Sequence, residues 1–338
     1  MRDSVRFWPR IAALLLAALG AAPARAENIR VGMVQSLASG PVYVAVDRGY
    51  FSAEGLNAKI VSFDNGQPVA LAAAAGDIDF GTGAPSAVFY GLAGQGSLRI
   101  IAAGSREMPG FKNVAYLASG RAYEDGLTQL KLLPGHSVAI TQLGSLSHYD
   151  LGLAAEKYKF DLGAMRLLAL ETNTELAAAL TAGNTDAGVL TVGPAMQLLT
   201  GGQAKLLGWL GDEVPYTQSN TVFTSTKNAN ERPAVVERFL RALRKAARDY
   251  HEAFADESER RRDGPGVSQM LALLARSTHG RIEDIRLGVP WVDPELRLDV
   301  KDLRRQIAWF RAQGQLKGDV KAADIIDKRY VTVLPGRE

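Results

Sequence analysis

The chain has no cysteine among its 338 residues. That absence excludes disulfides, thiol nucleophiles, thiolate metal ligands and a cysteine-linked lipid anchor. Histidine is scarce as well: His136, His148, His251 and His279 are too scattered to form a metal-ligand signature. No Walker A pattern or ordered dinucleotide fingerprint runs through the glycine-rich pieces, and the isolated Ser, His and Asp residues do not prescribe a triad. The expectation is a protein with no catalytic residues, no metal and no cofactor.

What is present begins with a leader. Arg2, Arg6 and Arg10 precede an apolar run over residues 11–19, and Ala24-Arg25-Ala26 matches an A-x-A cleavage signal. The apolar run is far short of the ~20 residues that cross a membrane, so the order predicts a signal peptide over residues 1–26 and an exported chain. That leader holds four arginines and one aspartate of the 39 Lys+Arg and 36 Asp+Glu, so the mature chain is formally neutral. The precursor's net charge of +3 is therefore no argument for nucleic-acid binding. The remaining length suits two substantial domains.

Residues 29–56 read as a strand (29–34), a Ser/Gly/Pro-rich break at Ser36, Ser39, Gly40 and Pro41, and an apolar run over 42–46. A strand entering a loop and then a helix leaves the first helical N–H groups without acceptors, where they and nearby hydroxyls can receive an anion or polar ligand. The same logic recurs: a strand over 57–63, a helix over 69–75 ended by Gly76, and a strand over 78–81 leading into Thr82-Gly83-Ala84-Pro85-Ser86. Residues 71–81, LAAAAGDIDFG, are echoed by residues 178–188, AALTAGNTDAG. The echo aligns Gly76 with Gly183 and Asp79 with Asp186, and supports two similarly wound lobes.

Further strands are expected over 98–103, 114–118, 137–140, 166–169, 204–209 and 220–225, with helices over 147–158 and 175–181. Residues 119–126 are less periodic and suit a bridge between domains. A long amphipathic helix runs from Pro233 to about Phe254, its apolar stripe carried by Val236, Phe239, Leu240 and Leu243. Its Arg/Lys side is a solvated face. Asp77 and Asp79, alternating on a short strand, do not make a carboxylate pair.

Three pieces carry a family likeness: residues 40–45 (GPVYVA), Gly49-Tyr50-Phe51 with Glu54-Gly55-Leu56, and residues 76–81 (GDIDFG). With Gln129-Leu130-Lys131, Gly144-Ser145 and Gly193-Pro194 following in order, the chain resembles the periplasmic substrate-binding components of ABC importers for nitrate, sulfonate and taurine, in the NMT1/THI5-like superfamily. The resemblance implies an α/β, two-lobed periplasmic-binding-protein-like fold of type II, with a ligand cleft between the lobes and two crossings. It implies lobe I over 29–118 plus 222–338, lobe II over 119–221, and a periplasmic address. It also implies a monomer that closes on its ligand and presents it to a permease, the cytoplasmic ATPase acting indirectly.

Carried onto this sequence, the ligand-facing loops fall at Ser36 and Gly40, at Gly83, Ala84 and Ser86, and at Ser105 and Arg106. Across the cleft come Gly144, Ser145, Leu146 and His148, then Val192, Gly193 and Pro194, with Asn220 and Thr221 at the return crossing. Ser36, Ser86 and Ser145 either cap helices or offer hydroxyls to a ligand. Arg106 can bind a carboxylate or sulfonate, or serve a structural ion pair, and His148 can donate to an anion or simply pack. Tyr43 and Phe89 are candidate apolar walls or core. The leading ligand class is a small organic anion, an aliphatic sulfonate or carboxylate. An aromatic acid or thiamine-precursor-like heterocycle, held in an aromatic sandwich, is the alternative, and an exported transferase or hydrolase is a different class again.

Overall fold

The computed structural model describes residues 26–337, so all of the expected leader except Ala26 lies outside the described residues. Twelve strands are formed: β1 Glu27–Val34, β2 Leu56–Phe63, β3 Phe80–Gly83, β4 Leu98–Ala103, β5 Ser105–Arg106, β6 Val114–Ser119, β7 Ser137–Ile140, β8 Arg166–Ala169, β9 Ala187–Thr191, β10 Ala204–Trp209, β11 Thr221–Ser225 and β12 Trp291–Val292. Ten of them build two five-stranded sheets, ordered β2-β1-β3-β11-β4 and β10-β6-β9-β7-β8, and β5 pairs with β12 in a small ribbon.

The two sheets have one plan. In the first, β1 pairs in parallel with β2 and β3, and β11 lies antiparallel between β3 and β4. In the second, β7 pairs in parallel with β8 and β9, and β6 lies antiparallel between β9 and β10. The antiparallel strand of each sheet is the one the chain supplies on crossing over from the other half. Residues 114–118, expected to close the first lobe, therefore lie in the second sheet as β6, because their backbone groups pair with β9 and β10. The expected bridge over 119–126 opens with the helix Gly120–Glu124, capped by Ser119.

The crossings run side by side. Asn220 N–H donates to the Ser105 carbonyl at 3.0 Å and Gly104 N–H to the Asn220 carbonyl at 2.9 Å. This is the two-lobed periplasmic-binding-protein architecture, with helices on both sheets and a cleft between them.

The helix Pro233–Phe254 begins with Pro at its first position, where a missing N–H removes no helical bond. It buries Val236, Phe239, Leu240 and Leu243, as its stripe predicts, and the Phe239 ring stacks on Phe80 of β3 with centroids 3.9 Å apart. The helix Val300–Ala312 joins the halves instead. Gln306 accepts from Tyr90 Oη at 2.9 Å, and Asp302 accepts from Tyr149 Oη at 3.3 Å and from Gln218 N–H at 2.8 Å. Among the described residues no helix is long and apolar enough to cross a membrane.

Candidate functional site

In both sheets the C-terminal ends of the parallel strands face the same gap, the place where open α/β sheets put their ligands. An inner cavity of about 120 Å³ lies there. It is smaller than the sites of drug-sized molecules, which run to several hundred Å³. Its walls come from the segment after β1 (Ser36, Ala38), the one after β2 (Asp64 to Gln67), and the one after β3 (Gly83, Ala84, Ser86). The opposite wall is the segment after β7 (Thr141, Gln142, Ser145 to Ser147) with Asp150, Asn173 and the end of β9, and the crossings add Asn113, Ser219 and Asn220. An outer hollow of about 700 Å³ shares Ser36 and Ala38 and adds Val192, Gly193, Pro194, Arg281 and Asp284.

Four of the helices that begin at this gap have N-termini capped by their own chain, whereas Val192–Thr200, whose N-cap Thr191 also lines the cavity, has no side-chain cap. Asn65 Oδ1 accepts from Gln67 N–H at 3.1 Å, Ser86 Oγ from Phe89 N–H at 3.1 Å and Ser145 Oγ from His148 N–H at 3.4 Å. Thr172 and Glu175 form a reciprocal capping box. The caps fix which protons remain. Ser86 uses a lone pair on Phe89, so its O–H is free to donate. Ser145 gives its proton to the Gln142 carbonyl at 2.6 Å and has none left. Asn220 Oδ1 accepts from Thr82 Oγ1 at 2.9 Å, which leaves its amide N–H groups to donate.

Of the residues expected at the site, Ser36, Gly83, Ala84, Ser86, Ser145, Leu146 and Asn220 line the inner cavity, and Val192, Gly193 and Pro194 line the outer hollow. Others lie elsewhere. Gly40 packs on the Tyr250 ring, and Tyr43 is buried in the first core. Phe89 is buried against Phe223 and Tyr90. Ser105 and Arg106 form β5 against Val292 and Trp291, which turns Arg106 away from both cavities, its guanidinium 4.4 Å from the Trp291 ring. Gly144 sits against Ala87, and its carbonyl receives Ala87 N–H at 2.8 Å. His148 lies edge-on to Trp309, and burial pushes its imidazolium pKa down, leaving a neutral ring. Thr221 is held within β11.

The sequence did signal some of the residues left unnamed: Asp64, Asn65 and Gln67 follow β2, as Thr141 and Gln142 follow β7, and polar residues directly after an apolar strand end are where such a cleft is lined. Asp150 carries no such signal, since it lies inside the helix Leu146–Tyr158.

Among the described residues the inner cavity has no Lys or Arg in its lining; its acidic residues are Asp64 and Asp150. Behind its wall, Glu107 Oε1 accepts from Asn113 Nδ2 and from Ser219 Oγ, each at 2.6 Å. Burial pushes the Glu107 carboxyl up to about 7 against those two hydrogen bonds. The Asp150 carboxyl is pushed well above the usual range by burial first, then by Glu107 and Asp302. Among the described residues no group of three or more His, Asp and Glu is placed to hold a metal ion. The arrangement suits reversible enclosure of a small polar solute by neutral donors.

A family described as NMT1/THI5 like matches residues 37–254. No curated protein matches the chain. The alkanesulfonate-binding protein SsuA from Xanthomonas axonopodis pv. citri, bound to MOPS, is similar in structure, with a TM-score of 0.71 at 20% identity over 89% of this chain and 98% of that one. The periplasmic aliphatic sulphonate binding protein SsuA from Escherichia coli gives 0.69 at 20% identity over 92% and 95%. The periplasmic nitrate-binding protein NrtA from Synechocystis PCC 6803 gives 0.73 at 11% identity over 90% and 86%. At these identities the likeness is one of fold.

Proposed function

The chain belongs to the NMT1/THI5-like family, and from that premise we propose that it captures a small organic anion, an aliphatic sulfonate or carboxylate, in the periplasm and delivers it to the permease of an ABC importer. Residues 1–26 are removed on export. The mature chain works as a monomer, binding favours closure of the two lobes on the ligand, and the ATPase acts only through the permease.

The observation that carries this reading is the inner cavity itself. It is compact, it lies between the sheets, and it offers uncommitted donors at Ser86 and Asn220 beside four helix N-termini. Several neutral donors and aligned peptide dipoles hold an oxyanion without an ion pair, so release needs no charge separation. Among the described residues no aromatic side chain lines the inner cavity, which gives a planar ring no sandwich.

A thermal-shift panel of short sulfonates, short carboxylates, nitrate and uncharged heterocycles, followed by calorimetry on the hits, tests the proposal. Micromolar or tighter binding of a sulfonate or carboxylate is expected. Tight binding of an uncharged ring with no response to either anion class would overturn it, as would turnover of the bound compound by the isolated protein.

A further inference from the structure

Behind the donors of the inner cavity sits an acid that anion capture leaves without a task. Glu107 lies on the first crossing, 1% exposed, and is tied to the second: its N–H donates to the Thr217 carbonyl and its carbonyl accepts from Tyr216 N–H, each at 2.8 Å. Its carboxyl stops one layer short of the cavity. That layer is Asn113 and Ser219, which line the cavity and also donate to Glu107 Oε1.

The wiring decides where a proton goes. Glu107 Oε2 is buried and has no hydrogen-bond partner, so a proton placed there would be stranded. On Oε1 it has an acceptor 2.6 Å away, the Ser219 oxygen. The two forms of the acid therefore set Ser219 in opposite senses. Ionised, Glu107 takes the Ser219 proton, and the hydroxyl shows lone pairs to the cavity. Protonated on Oε1, it donates to Ser219 Oγ and releases the serine proton to a ligand; another acceptor, the Thr217 carbonyl, is 3.4 Å away. A single proton thus turns an acceptor in the wall into a donor and removes a negative charge one side chain behind it.

The cations beside Glu107 in sequence are turned elsewhere, Arg106 to the Trp291 ring and Lys112 to the Trp209 ring. The groups that act on it from other elements are Asp212 of the helix Leu210–Glu213, Asp150 of the helix Leu146–Tyr158 and the Tyr116 phenol of β6. None of these is a cation. Burial, aided by Asp212, favours the protonated carboxyl, while Ser219, Asn113 and the Val114 N–H favour the ionised one.

We propose, building on the small-anion reading of this cleft, that Glu107 gates the site by proton: the anion is held by the form in which Ser219 joins Ser86 and Asn220 as a donor, so capture draws a proton onto Glu107. Glu107 is a positioning residue here, touching no ligand and acting through Ser219. The sign follows from charge. The protonated form binds the anion more tightly, so affinity falls as pH rises through neutrality, by at most about tenfold per pH unit for one proton.

The test uses the mature chain with ethanesulfonate and propionate, both ionised across the range measured. Calorimetry should show affinity falling about fivefold or more between pH ~6.5 and ~8.5. In buffers of differing ionisation enthalpy at pH ~7.5, binding should take up about half a proton per ligand, the amount for a tenfold preference for the protonated form. Glu107→Gln, which cannot ionise, should bind with one affinity across the range and take up no proton. Ser219→Ala keeps the acid and removes the hydroxyl through which it acts, so most of the pH difference should go with it.

A native affinity that does not change with pH overturns the gate and leaves the anion reading standing, as does a pH dependence that Glu107→Gln retains. A dependence kept in full by Ser219→Ala overturns the relay through that hydroxyl. Failure of both probes and of the rest of the short-anion panel to bind at any pH overturns the anion reading, and the gate with it. Should Glu107→Gln fail to fold, the native proton count and Ser219→Ala decide the matter.

Discussion

The guanidinium of Arg106 lies 4.4 Å from the Trp291 ring and 3.9 Å from Asp299 Oδ2, a carboxylate that Arg337 already holds at 2.7 Å. Removing Arg106 therefore takes away a buried stacking contact without stranding the acid. Arg106→Met should lower unfolding stability by roughly 1–2 kcal/mol and leave ligand affinity unchanged, as paired chemical denaturation and calorimetry would show. A tenfold loss of affinity in a folded variant would restore Arg106 to the site. Glu107 gives a pH signature. Its carboxyl is raised from 4.5 to about 7 in the folded protein, so the stability it supports is complete below pH ~4.5 and is lost as pH rises through ~7. The full loss is roughly 3 kcal/mol, and Asp302, raised to about 6, adds to it in the same direction. Glu107→Gln keeps the acceptor for Asn113 and Ser219 and cannot ionise. Urea unfolding at pH 5 and pH 8 should show the variant gaining on the native protein as pH rises; a constant difference would contradict the assignment.

Where elements meet, one glycine governs a whole helix pair. A Cβ added at Gly152 would lie 2.4 Å from the Trp309 ring, so the helices Leu146–Tyr158 and Val300–Ala312 approach only because residue 152 has no side chain. Gly152→Val should destabilise the protein by about 1–3 kcal/mol, and Trp309→Leu, costly in the native background, should recover part of that loss in the double variant. Thermal melts of the four members of the cycle would show it; strictly additive effects would mean the helices separate instead. Elements of this kind were legible along the chain wherever the cause is local. The strands over 98–103, 137–140, 166–169 and 204–209 form with the expected bounds, and the echoed segments become equivalent turns. Gly76 and Gly183 both take positive φ, and Asp79 and Asp186 accept the backbone N–H of Arg30 at 2.7 Å and of Ser137 at 2.8 Å, each at or near the start of a neighbouring strand. Asp79 thus ends up in the turn before β3, tying strands together. The packing of residue 152 on residue 309 was not legible, because helical periodicity says that a face is buried and not against what.

For the molecule as a whole, the cleft is where sequence reasoning stops. Asn113, Asp150 and the adjacent pair Ser219-Asn220 come from three separate segments, and the two crossings and the helix after the turn of the second sheet bring them together. Two hydrogen bonds reach across the gap beside the cavity, apart from the wider packing of Leu146–Tyr158 on Val300–Ala312. Ala87 N–H donates to the Gly144 carbonyl at 2.8 Å, and Asn65 Nδ2 reaches the Glu171 carbonyl at 3.5 Å. On the proposed reading, ligand affinity sets the population of the closed form. Ala87 offers a clean way to test this. It is the first residue of the helix Ala87–Gly94, where proline is well tolerated, and Ser86 before it has φ −133° and ψ 169°, an extended conformation that proline accepts. Ala87→Pro removes the N–H and sets a ring carbon against the Gly144 carbonyl, so it disfavours closure and leaves the helix intact. The variant should melt within a few degrees of native, bind its ligand about tenfold more weakly, and keep a larger radius of gyration by solution scattering when ligand is added at a concentration that compacts the native protein. Native affinity with native compaction in Ala87→Pro would show that the Ala87–Gly144 contact has no part in closure, and native protein that fails to compact on binding would remove lobe closure from the account.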